Sequence, residues 1–492
     1  MPHPPDFLAR SKVVLALNRL LRLLLPSLAA GLIAGVIAVT VSMAFAALIF
    51  TGPLTPFVFP GVGIMLLGSL VVGLIVGLTS SLPGLVAGVQ DSTVVVLALV
   101  AANISQTMLP DAPLENVFLT VSVTIALSTI LTGVLFLLLG VFNLGNLIRY
   151  IPYPVIGGFL GGSGLLLVFG ALALMVGAPV SALQLAPLVD PRLLGRWLPG
   201  LAFAIVLLIA VRRSEHPLTV PGVLAVGALV FFAALALMGV SVTEATAAGW
   251  LLSAPAATRG ALWYPLPWTV LARVDWSALG REIGNLAVIG VISSVNLLLN
   301  ATGIEIATRH DSDLNHELRI TGLANLLSGA GGGMGGAHVL ADSTLAYRMG
   351  GATHLVGVFL ALVCGLVLTL GGRLLSFFPT PLLGGLLLFL GLDFLITWVY
   401  EVRFRLPGFD YGMILVILVV MNVVGVLEGV GLGLALAVVL FVVDYSRVGV
   451  VRHVLSGAEY QSFVERPHLY RQLLRQKCDW LYILELQGFV FF

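Results

Sequence analysis

The sequence predicts an all-α polytopic membrane protein with about 14 transmembrane spans, and three observations predict it. Of the 492 residues, 59% are hydrophobic and 10% charged, against about 45–50% and 25% in ordinary soluble domains. Apolar stretches near the roughly 20 residues that a helix needs to cross a bilayer recur along the chain. Arginines collect in alternate loops, the bias that orients membrane helices. So large an apolar excess must face lipid, which excludes a soluble enzyme, a nucleic-acid-binding protein and a disordered scaffold. The net charge of +1 offers no field for a polyanion. Cys364 and Cys478 lie far apart and make neither a metal-ligand pattern nor a disulfide framework.

The elements follow in order. A basic segment, residues 1–23 with Arg10, Lys12, Arg19 and Arg22, leads into a first span from Leu24 to Ile49. That run is too long, and its cleavage site too poor, for a signal peptide. Further spans fall near 58–79, 91–105, 117–140, 154–176, 199–211, 219–240, 283–303, 317–329, 342–350, 354–372, 381–398, 411–427 and 429–445. The third and tenth are too short to cross alone. With a cytoplasmic N-terminus, loops after even-numbered spans carry Arg149, Arg212 with Arg213, Arg309, Arg348, and Arg403 with Arg405, and Arg447 follows the last span. Odd loops dilute Arg192, Arg196, Arg259 and Arg273 in longer stretches. Both termini are therefore expected in the cytoplasm, with the protein in the cell (inner) membrane.

Two regions fit no span. Residues 241–282 are expected to form one extended external loop. After the transmembrane domain, 24–445, residues 446–477 read as a polar linker, and 478–492 as a β-strand and turn beginning near Trp480. A lone strand buries nothing and has two unpaired edges, so the sequence is expected to be cut inside a C-terminal soluble domain.

The most informative pattern occurs twice. Gln90-Asp91-Ser92-Thr93 opens the third span, and Ala341-Asp342-Ser343-Thr344 opens the tenth. Glycine-rich or extended stretches precede both, Pro83 to Val89 and Gly331 to His338. An offset of seven spans inverts one copy relative to the membrane, the pattern of inverted-repeat transporters whose broken helices meet at the midplane. Asp91 and Asp342 are expected to cap their helices. An ionised carboxylate at that depth costs about 2.5–3.5 kcal/mol, which capping alone does not require, since Ser or Thr would also cap. A binding or proton-relay role accounts for the choice better.

Over nearly its whole length the chain resembles the SulP (sulfate permease, SLC26-type) transporters. The resemblance rests on Ile151-Pro152-Tyr153-Pro154-Val155-Ile156-Gly157-Gly158-Phe159, on Asn315 to Gly329, and on Gly350-Gly351-Ala352-Thr353 with Gly357. The strand at 480–492 resembles the opening of the STAS domain these proteins carry. The resemblance implies a seven-plus-seven inverted repeat, in which a core domain (spans 1–4 and 8–11) moves elevator-like against a gate domain (spans 5–7 and 12–14). It also implies a homodimer. Its substrate site maps onto Gln90, Asp91 and Ser92, onto Ala337, His338, Val339, Asp342 and Ser343, onto Ser42 and Met43, and onto Asn296.

Departures from the family bear on charge. A first-span Pro-Gln pair appears as Thr40-Val41, and an eighth-span carboxylate as Asn296. Aspartates stand at Asp91, where a small residue is common, and at Asp342, where small residues or a cation are found. The resemblance leads to a secondary transporter of a small anion such as sulfate, bicarbonate or a carboxylate. Proton coupling would run through Asp91, Asp342 or His338. Loss of the eighth-span carboxylate predicts no sodium dependence. The aspartates leave open a cationic or zwitterionic substrate such as a basic amino acid, and an uncoupled channel is the remaining alternative of the same fold.

Other groups carry less. Glu305 and Glu317 are expected in structural ion pairs near Arg309, Asp311, Asp313 and Arg319. His338 can equally be a packing residue, Asn296 and Asn300 share a helix face, and Glu428 is interfacial. His316-Glu317 lacks the second histidine of a zinc-protease helix, and the Gly331–Gly336 run lacks the Lys of a phosphate loop. No cofactor, nucleotide or metal motif stands out, so neither a membrane enzyme nor a primary pump is expected. The partners expected are a small solute and the lipid bilayer.

Overall fold

The computed structural model describes residues 6–109, 111–145, 152–178, 180–214, 216–252, 262–263, 268–446, 451–456, 464–480 and 482–486. Arg149, Ile151, Arg259, Arg447 and the strand residues beyond Leu486 lie outside these. The chain divides into two compact units, Met1–Gly433 and Leu434–Phe492.

Each expected span contains a helix. They are α1 (Asp6–Ile49), α2 (Val58–Thr79), α3 (Asp91–Met108), α4 (Leu114–Val141), α5 (Tyr153–Val176), α6 (Pro191–Arg213) and α7 (Thr219–Leu237). The second half gives α8 (Ile283–Thr308), α9 (Leu314–Ala330), α10 (Leu340–Arg348), α11 (Leu355–Leu370), α12 (Thr380–Leu395), α13 (Gly408–Val423) and α14 (Val426–Ser446). Short strands β1 (Ala87–Val89) and β2 (Gly336–His338) precede α3 and α10. Among the described residues, nine segments are long and apolar enough to cross a membrane.

Local chemistry sets the helix ends. Pro152 and Pro154 open α5, and Gly177, with φ of 73°, closes it. The Asp313 carboxylate caps α9 by accepting from the backbone N–H groups of Asn315 and His316. Helix α1 begins at Asp6, ahead of the expected start, and runs through Pro26, and α3 runs on to Met108.

Packing repeats at the seven-helix offset. Helix α2 packs on α11, and its counterpart α9 packs on α4. Both contacts are lined by glycine. A Cβ on Gly77 would lie 2.7 Å from the Cα of Gly357, and one on Gly133 would lie 2.9 Å from the carbonyl oxygen of Gly322. Close backbone approach is what drives helix association where no hydrophobic effect operates. A second set joins α12 to α5 and α6, and α13 to α5. The most apolar window of the segment holding α2 is 72% buried, whereas that of α7 is 11% buried. Val226, Leu229 and Val230 of α7 are exposed, as a lipid-facing helix requires.

Two loop expectations need correction. Within 241–282 lie helices Val242–Ala247 and Trp276–Arg281, started by a Ser241–Glu244 capping box and by the Asp275 side chain. Such short polar helices carry no apolar period for a sequence reading to detect. In the Leu434–Phe492 unit, β3 (Val451–Ser456) pairs antiparallel with β4 (Tyr482–Leu486), and α15 (His468–Gln476) lies between them in sequence. The stretch expected as linker thus supplies the partner of the strand expected to be alone.

Candidate functional site

The site is built on the two short strands. β1 pairs antiparallel with β2, with Ala87 opposite His338, Gly88 opposite Ala337 and Val89 opposite Gly336. The Val339 N–H extends the ladder by donating to the Val86 carbonyl at 3.0 Å. An antiparallel pair sends the chain out at opposite ends, so α3 and α10 leave in opposite directions, each with its N-terminus at the ladder. All six strand residues are buried, the condition under which non-helical backbone is tolerated at membrane depth. Gly336 is required there, since a Cβ would lie 2.5 Å from the Gly88 carbonyl oxygen.

The two aspartates differ in position and company. Gln90 is the N-cap of α3, and its side chain makes no cap bond. Asp91 is the first helical residue, and its Oδ1 accepts from the Ser92 N–H at 2.7 Å. The Asn296 amide of α8 stands beside Asp91 and donates to Ser92 Oγ at 2.9 Å; Asn300 donates to Asn296 Oδ1 at 2.6 Å. Asp342 is the third residue of α10, whose N-cap is Val339. Its carboxylate has no hydrogen-bond partner among the described residues. Neither aspartate is the N-cap, so the capping expectation is corrected: the extended residue before each helix takes that position.

The other expected site residues separate. Ser42 and Met43 of α1 are buried, each 1% exposed, and α1 packs on both α3 and α10. Ser343 Oγ accepts from the Val86 N–H at 3.0 Å and donates to the Val86 carbonyl at 3.2 Å, so it stitches the ladder. The Ala337 side chain belongs to an apolar cluster with Phe136, Leu297, Leu298 and Leu318. Gln90 reaches the Ser293 carbonyl at 3.4 Å, a long and weak bond.

His338 lies with Glu317. Its Nε2 is 2.7 Å from Glu317 Oε2, and both side chains are fully buried. Ser80 Oγ, Ser81 Oγ and the Ser81 N–H donate to the same carboxylate at 2.7–3.0 Å. The expected pairing of Glu317 with loop arginines is therefore corrected, because the first turn of α9 turns it inward onto β2.

A small cleft of mixed character flanks the ladder, lined by Gln90, by Thr93 of α3, Thr129 and Thr132 of α4, Ser293 of α8 and Asn325 of α9, together with Leu97, Ile289 and Met334. Asn325 clamps β2, donating to the Gly336 carbonyl at 3.1 Å and accepting from its N–H at 2.8 Å. Gln90 is an expected site residue, whereas sequence reading missed Thr129, Thr132, Ser293 and Asn325, yet a signal exists. Glu317, Thr321, Asn325 and Ser328 recur at helical spacing along one face of α9, and all four are buried.

Helix N-termini each present about half a positive charge, and two ionised carboxylates outweigh the pair of them. No Lys or Arg stands among the described residues gathered at the ladder, and His338 there is paired with Glu317. The arrangement can hold a positive group between α3 and α10, and it can hold a proton. No group of three or more His, Cys, Asp or Glu is arranged for a metal among the described residues.

Comparison with known proteins gives a family match, described as the sulfate permease family, over residues 24–420. The vacuolar basic amino acid transporter VSB1 of Saccharomyces cerevisiae is 24% identical over 375 residues, 74% of this chain and 36% of that protein. The bicarbonate transporter BicA of Synechocystis is 26% identical over 389 residues, 76% of this chain and 63% of that protein. The chain thus spans less than two thirds of the length of either. Among solved structures, the transmembrane domain of a cyanobacterial BicA superposes with a TM-score of 0.63 at 22% identity, covering 83% of this chain and 98% of that one. The murine Slc26a9 anion transporter in its inward-facing state gives 0.65 at 20% identity, with 91% and 73% covered. These likenesses are of fold.

Proposed function

The chain belongs to the sulfate permease family, and on that premise we propose that it is a secondary active transporter whose substrate carries positive charge. A basic amino acid is the class that fits best. One observation carries the reading: a carboxylate stands in the first turn of each half-helix at the ladder, and no Lys or Arg among the described ladder residues accompanies them. Attraction of a small anion by two helix N-termini is the expectation drawn from the family. Here two full negative charges oppose two half charges of the other sign. The vacuolar basic amino acid transporter among the relatives supports the choice.

Movement is proposed as elevator-like, with α1–α4 and α8–α11 carrying the site past α5–α7 and α12–α14. Among α1–α13, helix contacts are more extensive within each set than between them, which supports such a division. The count of 14 spans, cytoplasmic termini, residence in the cell membrane, a homodimer and a STAS domain beginning in the β3–β4 pair belong to the same proposal.

A second reading has its own observation. Asp342 accepts no hydrogen bond among the described residues, which leaves its carboxylate open to carry a proton. An anion could then be carried together with that proton.

Uptake into proteoliposomes tests both. Saturable uptake of arginine and lysine, independent of sodium and reduced in Asp342→Asn, is the expected result. Saturable sulfate uptake that is unaffected by Asp91→Asn and Asp342→Asn would overturn the cationic reading.

A further inference from the structure

The polar stripe on α9 has a role that substrate binding does not use. Its first member, Glu317, is joined through Ser81 to the protein surface, since Ser81 is exposed and its hydroxyl donates to Glu317 Oε1 at 2.7 Å. The second carboxylate oxygen meets His338 Nε2 at 2.7 Å. Among the described residues, His338 Nδ1 is buried with no hydrogen-bond partner, and so is Thr321 Oγ1, one helical turn beyond Glu317 on the same face. The next turn brings Asn325, which holds Gly336 and lines the cleft shared with Gln90. Titratable and polar groups therefore run from an exposed serine to the ladder between the half-helices.

Neither protonation state of the pair is satisfied. With neutral His338 donating from Nε2, the buried cluster carries one uncompensated negative charge, which burial penalises heavily. With one more proton taken on the Glu317 carboxylate, the cluster is neutral, but the three serine-derived donors are left facing a carboxylic acid and His338 Nδ1 stays buried without a partner among the described residues, also a cost. The other titratable groups nearby are Asp313, whose N–H bonds Ser81 Oγ and whose carboxylate caps α9, and His316, whose Nε2 meets the Thr79 carbonyl. A purely structural strut would gain by satisfying Nδ1.

We propose that Glu317 and His338 form a proton-binding site, loaded from water through Ser81, that supplies the coupling proton. In loading, a water-derived proton replaces the one the Ser81 hydroxyl passes to the carboxylate, and the pair goes from one negative charge to none. Unloading returns one proton and restores the charge. No bond other than O–H and N–H forms or breaks. The inference rests on the reading of the chain as a coupled transporter, but not on the charge of its substrate.

Proteoliposomes holding the full chain give the test, with arginine and, separately, sulfate as probes. A pH difference of one unit acting through one proton supports about tenfold accumulation. Wild type is expected to reach that level with the probe it carries. Glu317→Gln and His338→Gln are expected to exchange labelled for unlabelled probe but only to equilibrate under the same gradient. Undiminished accumulation in both variants overturns the proposal, as does loss of exchange in step with accumulation in folded protein. Should Glu317→Gln fail to fold, Ser81→Ala leaves the pair and the backbone N–H bond in place. It is expected to slow gradient-driven uptake and leave exchange unaltered, and an unchanged driven rate counts against the relay. If neither probe enters wild-type vesicles, the substrate reading fails separately. Hydrogen-ion titration of purified wild type and His338→Gln then decides: one proton fewer taken up by the variant supports the site, and no difference overturns it.

Discussion

The starts of α3 and α10 are copies of one device with different chemistry. Each follows a three-residue strand and carries Asp-Ser-Thr near its start. Yet Asp91 is the first residue of an 18-residue helix and is held by the Ser92 N–H and the Asn296 side chain, whereas Asp342 is the third residue of a nine-residue helix and has neither. Behind β2 lies the Glu317–His338 pair, and behind β1 the corresponding packing is apolar, with Ala87 among Val72, Val76, Leu82 and Leu85. The lesson is that repetition specifies the scaffold while single side chains assign the roles. The free carboxylate suits a mobile charge, and the tethered one suits a fixed anchor.

Removing both charges should break the comparison most severely. Charged hydrogen bonds contribute about 1.5–3 kcal/mol each, so Asp91→Asn/Asp342→Asn should lower arginine uptake by about a hundredfold or more, measured as kcat/KM. The single variants should sharpen it. Asp342→Asn is expected to lose more than Asp91→Asn, because Asn296 already shares the Asp91 carboxylate; equal losses would mean that the difference in company has no consequence.

The scaffold should respond symmetrically where the site does not. Overpacking a core contact costs about 1–3 kcal/mol, and Gly77→Leu and Gly133→Leu should lower the thermal midpoint in detergent by similar amounts. Unequal shifts would show that the two glycine contacts are not equivalent. A smaller effect is expected from Ser343→Ala, which leaves the Val86 N–H unpaired at a cost of about 1–2 kcal/mol. Its counterpart Ser92→Ala removes only the acceptor of Asn296 and should cost less by the same measurement.

How much of this could be read from the chain follows from the range of each signal. Hydropathy is local, so the helices fell close to their expected limits and both Asp-Ser-Thr starts were found where the strands meet. The Glu317 cluster was misassigned because its partners are remote, with Ser80 standing 237 residues away and His338 standing 21 away across a chain reversal. Nearby arginines looked like better partners than a serine hairpin that only the fold delivers. The β3–β4 pair was missed for a related reason: a six-residue strand in a polar stretch has no apolar alternation to mark it. Capping was assigned by residue type, and the extended geometry of Gln90 and Val339 moved each cap one or more positions earlier.

The central claim is that the two half-helix starts hold positive charge. Equilibrium binding to the purified chain tests it most directly, with arginine and sulfate titrated against wild type and Asp91→Asn/Asp342→Asn. Saturable arginine binding that the double variant loses is expected, with no saturable sulfate binding to wild type. Sulfate binding to wild type, retained in the double variant while arginine binds neither protein, would contradict it.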